Sequence, residues 1–276
     1  RSTLFPYTTL FRSADGNIFI YDSLWSDFSH PDGPIVSVKN IPKCSRNILQ
    51  NNAFDGISLE AVTIENEVVL SSEHPYLLGN MTVMPEGSLG LPPGTSLFLR
   101  PRADVVIHGE LRSLGTAEAP VTWQPQIIDM YWGSLVLDNA IARIVHTTFT
   151  QGNNSLIDSQ HTGMITADNS TIHMDYVTLV DARRPYNMFY AKQSDIFLAN
   201  SSIGWSTPKT VSSWNIDGIK MMGGVLNIEN TFFYEMDRGI EGYQEATGTM
   251  TNMDNTHFFS TGLSWWPEQL FDTEKK

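Results

Sequence analysis

The sequence predicts an all-β fold, a right-handed parallel β-helix (a single-stranded solenoid) of about eight coils. Three observations predict it. Two ladders of short blocks recur through the back half, the ladders keep a common register, and Gly and Pro punctuate short apolar strands through the front half. In the first ladder five blocks align without gaps: IVHTTF from Ile144, MDYVTL from Met174, LANSSI from Leu198, IENTFF from Ile228 and MDNTHF from Met253. Long and short steps alternate between them. Each block opens and closes on an apolar residue. The second ladder is GMITA from Gly163, NMFYA from Asn187, DGIKM from Asp217 and EGYQE from Glu241, with the same alternation of short and long steps. One coil cannot bury its inward side chains alone, whereas stacked coils bury a continuous apolar column and pair their strands ~4.8 Å apart. A β-sandwich also spaces strands regularly, but its hairpins do not keep two ladders in one register.

The elements follow in chain order. Residues 1–13, RSTLFPYTTLFRS, resemble the conceptual translation of a sequencing adapter and are expected to be a non-native scar. On that reading the natural chain starts upstream of Ala14. Residues 14–56 are less periodic and read as a lead-in segment, a severed coil or a linker. Residues 57–262 carry the β-helix. From Gly79 to Pro125, each Gly or Pro closes a strand of a few residues, and DMYWGSLVLD from Asp129 continues the pattern. Residues 263–276, with Trp265, Trp266 and Pro267, read as a cap over the last coil or as a truncated tail.

At the third position of the first ladder stand His146, Tyr176, Asn200, Asn230 and Asn255. Stacked asparagines can hydrogen-bond amide to amide, so Asn200, Asn230 and Asn255 are expected to form a structural ladder. In the second ladder, strand alternation puts Thr166, Tyr190, Lys220 and Gln244 on the outer face, opposite Ile165, Phe189, Ile219 and Tyr243. An aromatic, a cation and an amide on one flat face suit sugar binding.

Composition narrows the function. With 17 basic and 30 acidic residues, the net charge of −13 argues against nucleic acid, whose phosphates need clustered Lys and Arg. No apolar run reaches the ~18 residues of a membrane span. The single cysteine, Cys44, excludes an internal disulfide and any multi-cysteine metal site. The histidines lack the i, i+4 spacing of a helical zinc site. No nucleophile elbow, phosphate-binding loop or dinucleotide fingerprint is present. Sequons at Asn80, Asn153, Asn169 and Asn200 fit an extracellular or cell-surface location.

The run GTSLFLRPRADVVIHGELRSLGT, followed by APVTW and then WGSLVL, resembles the opening coils of right-handed parallel β-helix domains of the pectin-lyase-like superfamily. The resemblance covers roughly Ile57 to Gly262 and is specific for fold rather than activity. Within it, WNIDGIK from Trp214 is similar to the NTDGI element of polygalacturonase-type hydrolases, which places Asp217 at that element's carboxylate. The chain has Ile216 where the element has threonine, and the family's paired-Asp, GHG and RIK elements do not follow. Polysaccharide lyases of this fold class use Ca²⁺ to neutralise a uronate, with an Arg or Lys as base. The block alignment stacks Asp217 on Glu241 and Met221 on Glu245, so Asp217, Glu241 and Glu245 are the candidate calcium ligands. Asp217, Lys220 and Arg238 are then the candidate catalytic residues. Three functions fit: an extracellular surface domain that binds a polysaccharide or cell-surface glycan or acts in adhesion, a calcium-dependent lyase or glycoside hydrolase acting on acidic polysaccharide, and a structural spacer.

Overall fold

The structure, a computed structural model, describes residues 19–21, 24–26, 43–45, 48–50, 56–59, 61–153, 163–183, 187–206, 217–242, 248–259 and 262–265. These residues are strands, turns and bends without a helix, so no helix among them is long and apolar enough to cross a membrane. The strand pairings are parallel throughout and build one sheet of fifteen strands, one of nine and two of two strands. Parallel neighbours cannot be joined by tight hairpins; each needs a crossover. Here the crossover from one strand to its neighbour passes through the other large sheet. Gly163–Asp168, for instance, lies in the nine-stranded sheet, Thr171–Val180 in the fifteen-stranded sheet, and Asn187–Lys192 back in the first, beside Gly163–Asp168. In the nine-stranded sheet the spatial order of strands is the order in the chain, from Val62–Ile64 to Gly262–Trp265.

Register follows the first ladder at every step. Ile144 pairs with Met174, Met174 with Leu198, Leu198 with Ile228, and Ile228 with Met253. Stacking identical positions puts like side chains on top of one another. Leu135, Ile165, Phe189, Ile219 and Ile240 form one such inward column, all fully buried. Leu97, Trp123, Phe149, Leu179, Ile203 and Phe233 form another on the opposite sheet, with Trp123 and Phe149 in ring contact at 5.3 Å. Burial at these positions, ~25 cal/mol per Å² of apolar surface, is the main term holding the coils together.

Two corners bend each coil. At the first, His146, Tyr176, Asn200, Asn230 and Asn255 take φ of 41°, 54°, 48°, 46° and 44°. This left-handed conformation costs most residues, and asparagine tolerates it best after glycine. The corner therefore explains the asparagines of the ladder before any side-chain bond is counted. At the second, Asn139, Asn169 and Gln193 have positive φ and are followed in the next coil by Gly223 and Gly224. Gly224, at φ 87°, has no room for a side chain: an added Cβ would lie 2.6 Å from Ser194 C and N.

The last step of the second ladder is corrected. Asp217 pairs with Arg238, Ile219 with Ile240 and Lys220 with Glu241, so the step is shorter than the one that would stack Asp217 on Glu241. The reason is the inward column: Ile240 continues Phe189 and Ile219 into the core, and Tyr243 lies outside the described residues. Segment 14–56 contains parallel pairs of its own, Phe19 with Lys43 and Leu24 with Ile48, at the same spacing as Gly163 and Asn187.

Candidate functional site

The register change decides what the charged residues do. Asp217 opens the strand Asp217–Met222 and Arg238 opens Arg238–Gly242, so the two start side by side. Arg238 grips the Asp217 carboxylate with two donors, Nε to Oδ1 at 2.7 Å and Nη2 to Oδ2 at 3.3 Å. Its Nη1 donates to Oε1 of Glu241. Lys220 Nζ lies 3.2 Å from Glu241 Oε2 as an ion pair. Two carboxylates and two cations thus close into a balanced cluster, with Asp217 1% and Glu241 8% exposed. Burial first, and then the Glu241 charge, raise the Asp217 carboxyl to about 6, with Arg238 working against both.

The candidate calcium ligands Asp217 and Glu241 therefore meet through Arg238, which bridges them, while Lys220 pairs with Glu241 alone, so the chain's own cations stand beside both carboxylates. Glu245 lies outside the described residues, and among those described no group of three or more His, Cys, Asp or Glu gathers as a metal site. The candidate catalytic residues Asp217, Lys220 and Arg238 are all members of this internally paired cluster.

The proposed sugar-binding face on this sheet is corrected at two positions. Thr166 and Tyr190 do occupy one column with Lys220, but they are 1% and 7% exposed. Both faces of the strands Gly163–Asp168 and Asn187–Lys192 are covered, and Tyr190 Oη donates to Met222 Sδ at 2.7 Å instead of facing solvent. Alternation tells which face a residue takes, not whether that face is open. Gln244 lies outside the described residues.

At the asparagine corner, Asn255 Nδ2 donates to Asn230 Oδ1 at 2.6 Å and Asn230 Nδ2 to Asn200 Oδ1 at 3.2 Å. Asn200 Nδ2 in turn donates to Asp175 Oδ1 at 2.8 Å, and Asn230 Nδ2 also reaches Glu229 Oε1 at 3.3 Å. Earlier in the same corner the rings of His146 and Tyr176 stack at 4.5 Å.

Beside this corner, on the outside of the fifteen-stranded sheet, runs a groove of about 640 Å³ that sequence reading missed. One wall is the row Arg143, His173, Phe197 and Asn227, each paired with the next across adjacent strands. The other is Val145, Asp175, Ala199 and Glu229, in the same register two residues further along each strand. His173 and Phe197 stack at 4.5 Å with their planes 4° apart, and both are exposed, Phe197 to 37%. The signal was available: these residues sit three and one positions before the corner residue of each block. Outward positions obey no apolar rule, however, so nothing distinguished them from a solvated face. Comparison with protein-family models, with curated proteins and with solved structures finds no match to the chain.

Proposed function

We propose that the chain is a right-handed parallel β-helix domain of the pectin-lyase-like kind that acts outside the cell as a glycan-binding surface module. The parallel sheets, the in-register columns and the repeated passage between two sheets support the architecture. The hand follows from the strong preference of crossovers between parallel strands for the right-handed sense. The open groove on the fifteen-stranded sheet carries the functional reading. A sugar offers hydroxyls, which need fixed acceptors and donors, and C–H faces, which need an apolar surface. Asp175, Glu229, Asn227 and Arg143 supply the first, and the His173–Phe197 stack with Ala199 the second. An extracellular setting is supported by Asn169, an exposed sequon asparagine, whereas the sequon residue Asn153 is buried.

The lyase reading has less support, because each charged group it needs is already paired with another. A calcium role for Asp217 and Glu241 would require displacing Lys220 and Arg238. The test of the glycan reading is an array probed with the wild-type domain and with Phe197→Ala. Wild type is expected to retain a defined set of glycans and the variant to lose it at least tenfold. Equal retention by both would remove the groove as the binding site, and no retention by either would leave the spacer role in its place.

A further inference from the structure

We infer that the groove takes a neutral glycan chain lying across the strands, along the stacking direction, and discriminates against acidic polysaccharide. The inference rests on the glycan-binding reading of the same groove. Its direction follows from the register. The wall Arg143, His173, Phe197, Asn227 has one residue on each of four successive strands, so three strand spacings give it a length of ~14 Å. The two walls are two residues apart along each strand, ~7 Å. The long axis of the groove is therefore perpendicular to the strands, and an extended chain occupying it runs from coil to coil.

Its charge selects the class of sugar. The second wall puts carboxylates at Asp175 and Glu229 with Ala199 between them, and Asp254 continues the row beyond Glu229. Asparagine amides fix one oxygen of each groove carboxylate, Asn200 on Asp175 Oδ1 and Asn230 on Glu229 Oε1. The second oxygens, Asp175 Oδ2 and Glu229 Oε2, accept no hydrogen bond from the described residues and are placed to accept from sugar hydroxyls. The corner ladder thus positions the acceptors of the groove as well as bracing the coils. The cation of the groove, Arg143, stands at one end, while its neighbour Arg112 is held by Glu110 and Glu67 at 2.5 Å and 3.4 Å. A polyuronate, with a negative charge on every unit, would meet Arg143 once and carboxylates twice, on a protein whose net charge is −13. Like charges at such separations repel, and the repulsion fades with salt.

The experiment is titration calorimetry of the full chain with neutral hexose oligomers of two to six units and with uronate oligomers of equal length, at low and raised salt. Neutral oligomers are expected to bind, with affinity rising up to about three units, the number a groove of ~14 Å accommodates, and flat beyond. Uronates are expected to bind at least tenfold more weakly at low salt, with the gap closing as salt is raised. Asp175→Asn with Glu229→Gln keeps an amide oxygen for each asparagine to bond and is expected to narrow the gap; thermal melting checks that the pair of changes leaves the fold intact. Uronates binding as well as neutral oligomers, or a gap that survives the double variant, overturns the charge selection and leaves the groove reading standing. Binding of neither series, with Phe197→Ala indistinguishable from wild type, overturns both.

Discussion

Asp217 is held in the folded chain with its carboxyl raised to about 6, chiefly by burial and then by Glu241, against a value near 3.8 when solvated. Between these two values the folded state binds more protons than the unfolded state. The contribution of Asp217 to stability is therefore fully present below about pH 3.8 and is lost as the pH rises through about 6. Arg238 limits the loss, since its two hydrogen bonds favour the ionised carboxylate. Urea titrations from pH 4 to pH 7 are expected to show a falling contribution that Asp217→Asn removes, because asparagine keeps the acceptor for Arg238 but cannot titrate. A pH slope in the variant equal to that of the wild type would show that other groups set it. The same arrangement explains why the cluster resembles an active site in sequence. Paired carboxylates and bases at a strand entrance are what acid–base chemistry needs, but here Arg238 bridges both carboxylates and the chain neutralises itself.

At the scale of the coil corner, backbone and side chain act together. Asn230 takes a left-handed φ of 46°, accepts from Asn255 and donates to Asn200. Asn230→Ala forces alanine into that conformation and removes the two amide-to-amide bonds and the one to Glu229, a loss of about 2 kcal/mol for one strained residue and its exposed hydrogen bonds. Asn230→Gly relieves the backbone cost while still lacking the amide, so about 1 kcal/mol of that loss is expected to be recovered. Denaturant midpoints of the two variants measure the difference, and equal midpoints would mean the corner conformation adds nothing. This corner was legible in the sequence because the inward residues Met174, Leu198, Ile228 and Met253 and the corner residues recur with the same spacing. The step from Asp217 to Arg238 was not. Its turn is shorter, and an alignment that keeps the spacing of Gly163 and Asn187 reads EGYQ where the register uses RGIE. The match of RGIE to DGIK, with isoleucine inward and opposite charges paired, was the better signal. The burial of Thr166 and Tyr190 had no counterpart in the pattern, since period-two alternation says nothing of what lies over a sheet.

At the scale of the whole molecule, the interior strands of the two large sheets pair with the strands of the coils before and after them, so coupling is expected to decay from coil to coil. Leu198 and Ile228 are both buried and directly in register, whereas Leu111 lies four strand spacings from Ile228, about 19 Å along the stack. Leu198→Ala opens a cavity against the column that Ile228 fills, so Ile228→Val made beside it acts on a wall already relaxed, and the pair should deviate from additivity by at least about 0.5 kcal/mol. Leu111→Ala with Ile228→Val shares no partner, and its effects should add to within about 0.5 kcal/mol. Urea unfolding of the single and double variants with wild type decides between a stack of locally coupled coils and a core that responds as one unit. Equal coupling for the near and the distant pair would require the second, and the additive description of the coils would then fail. With one cysteine in the chain, no internal disulfide can transmit strain along the stack, so packing and the strand ladders must carry whatever coupling is measured.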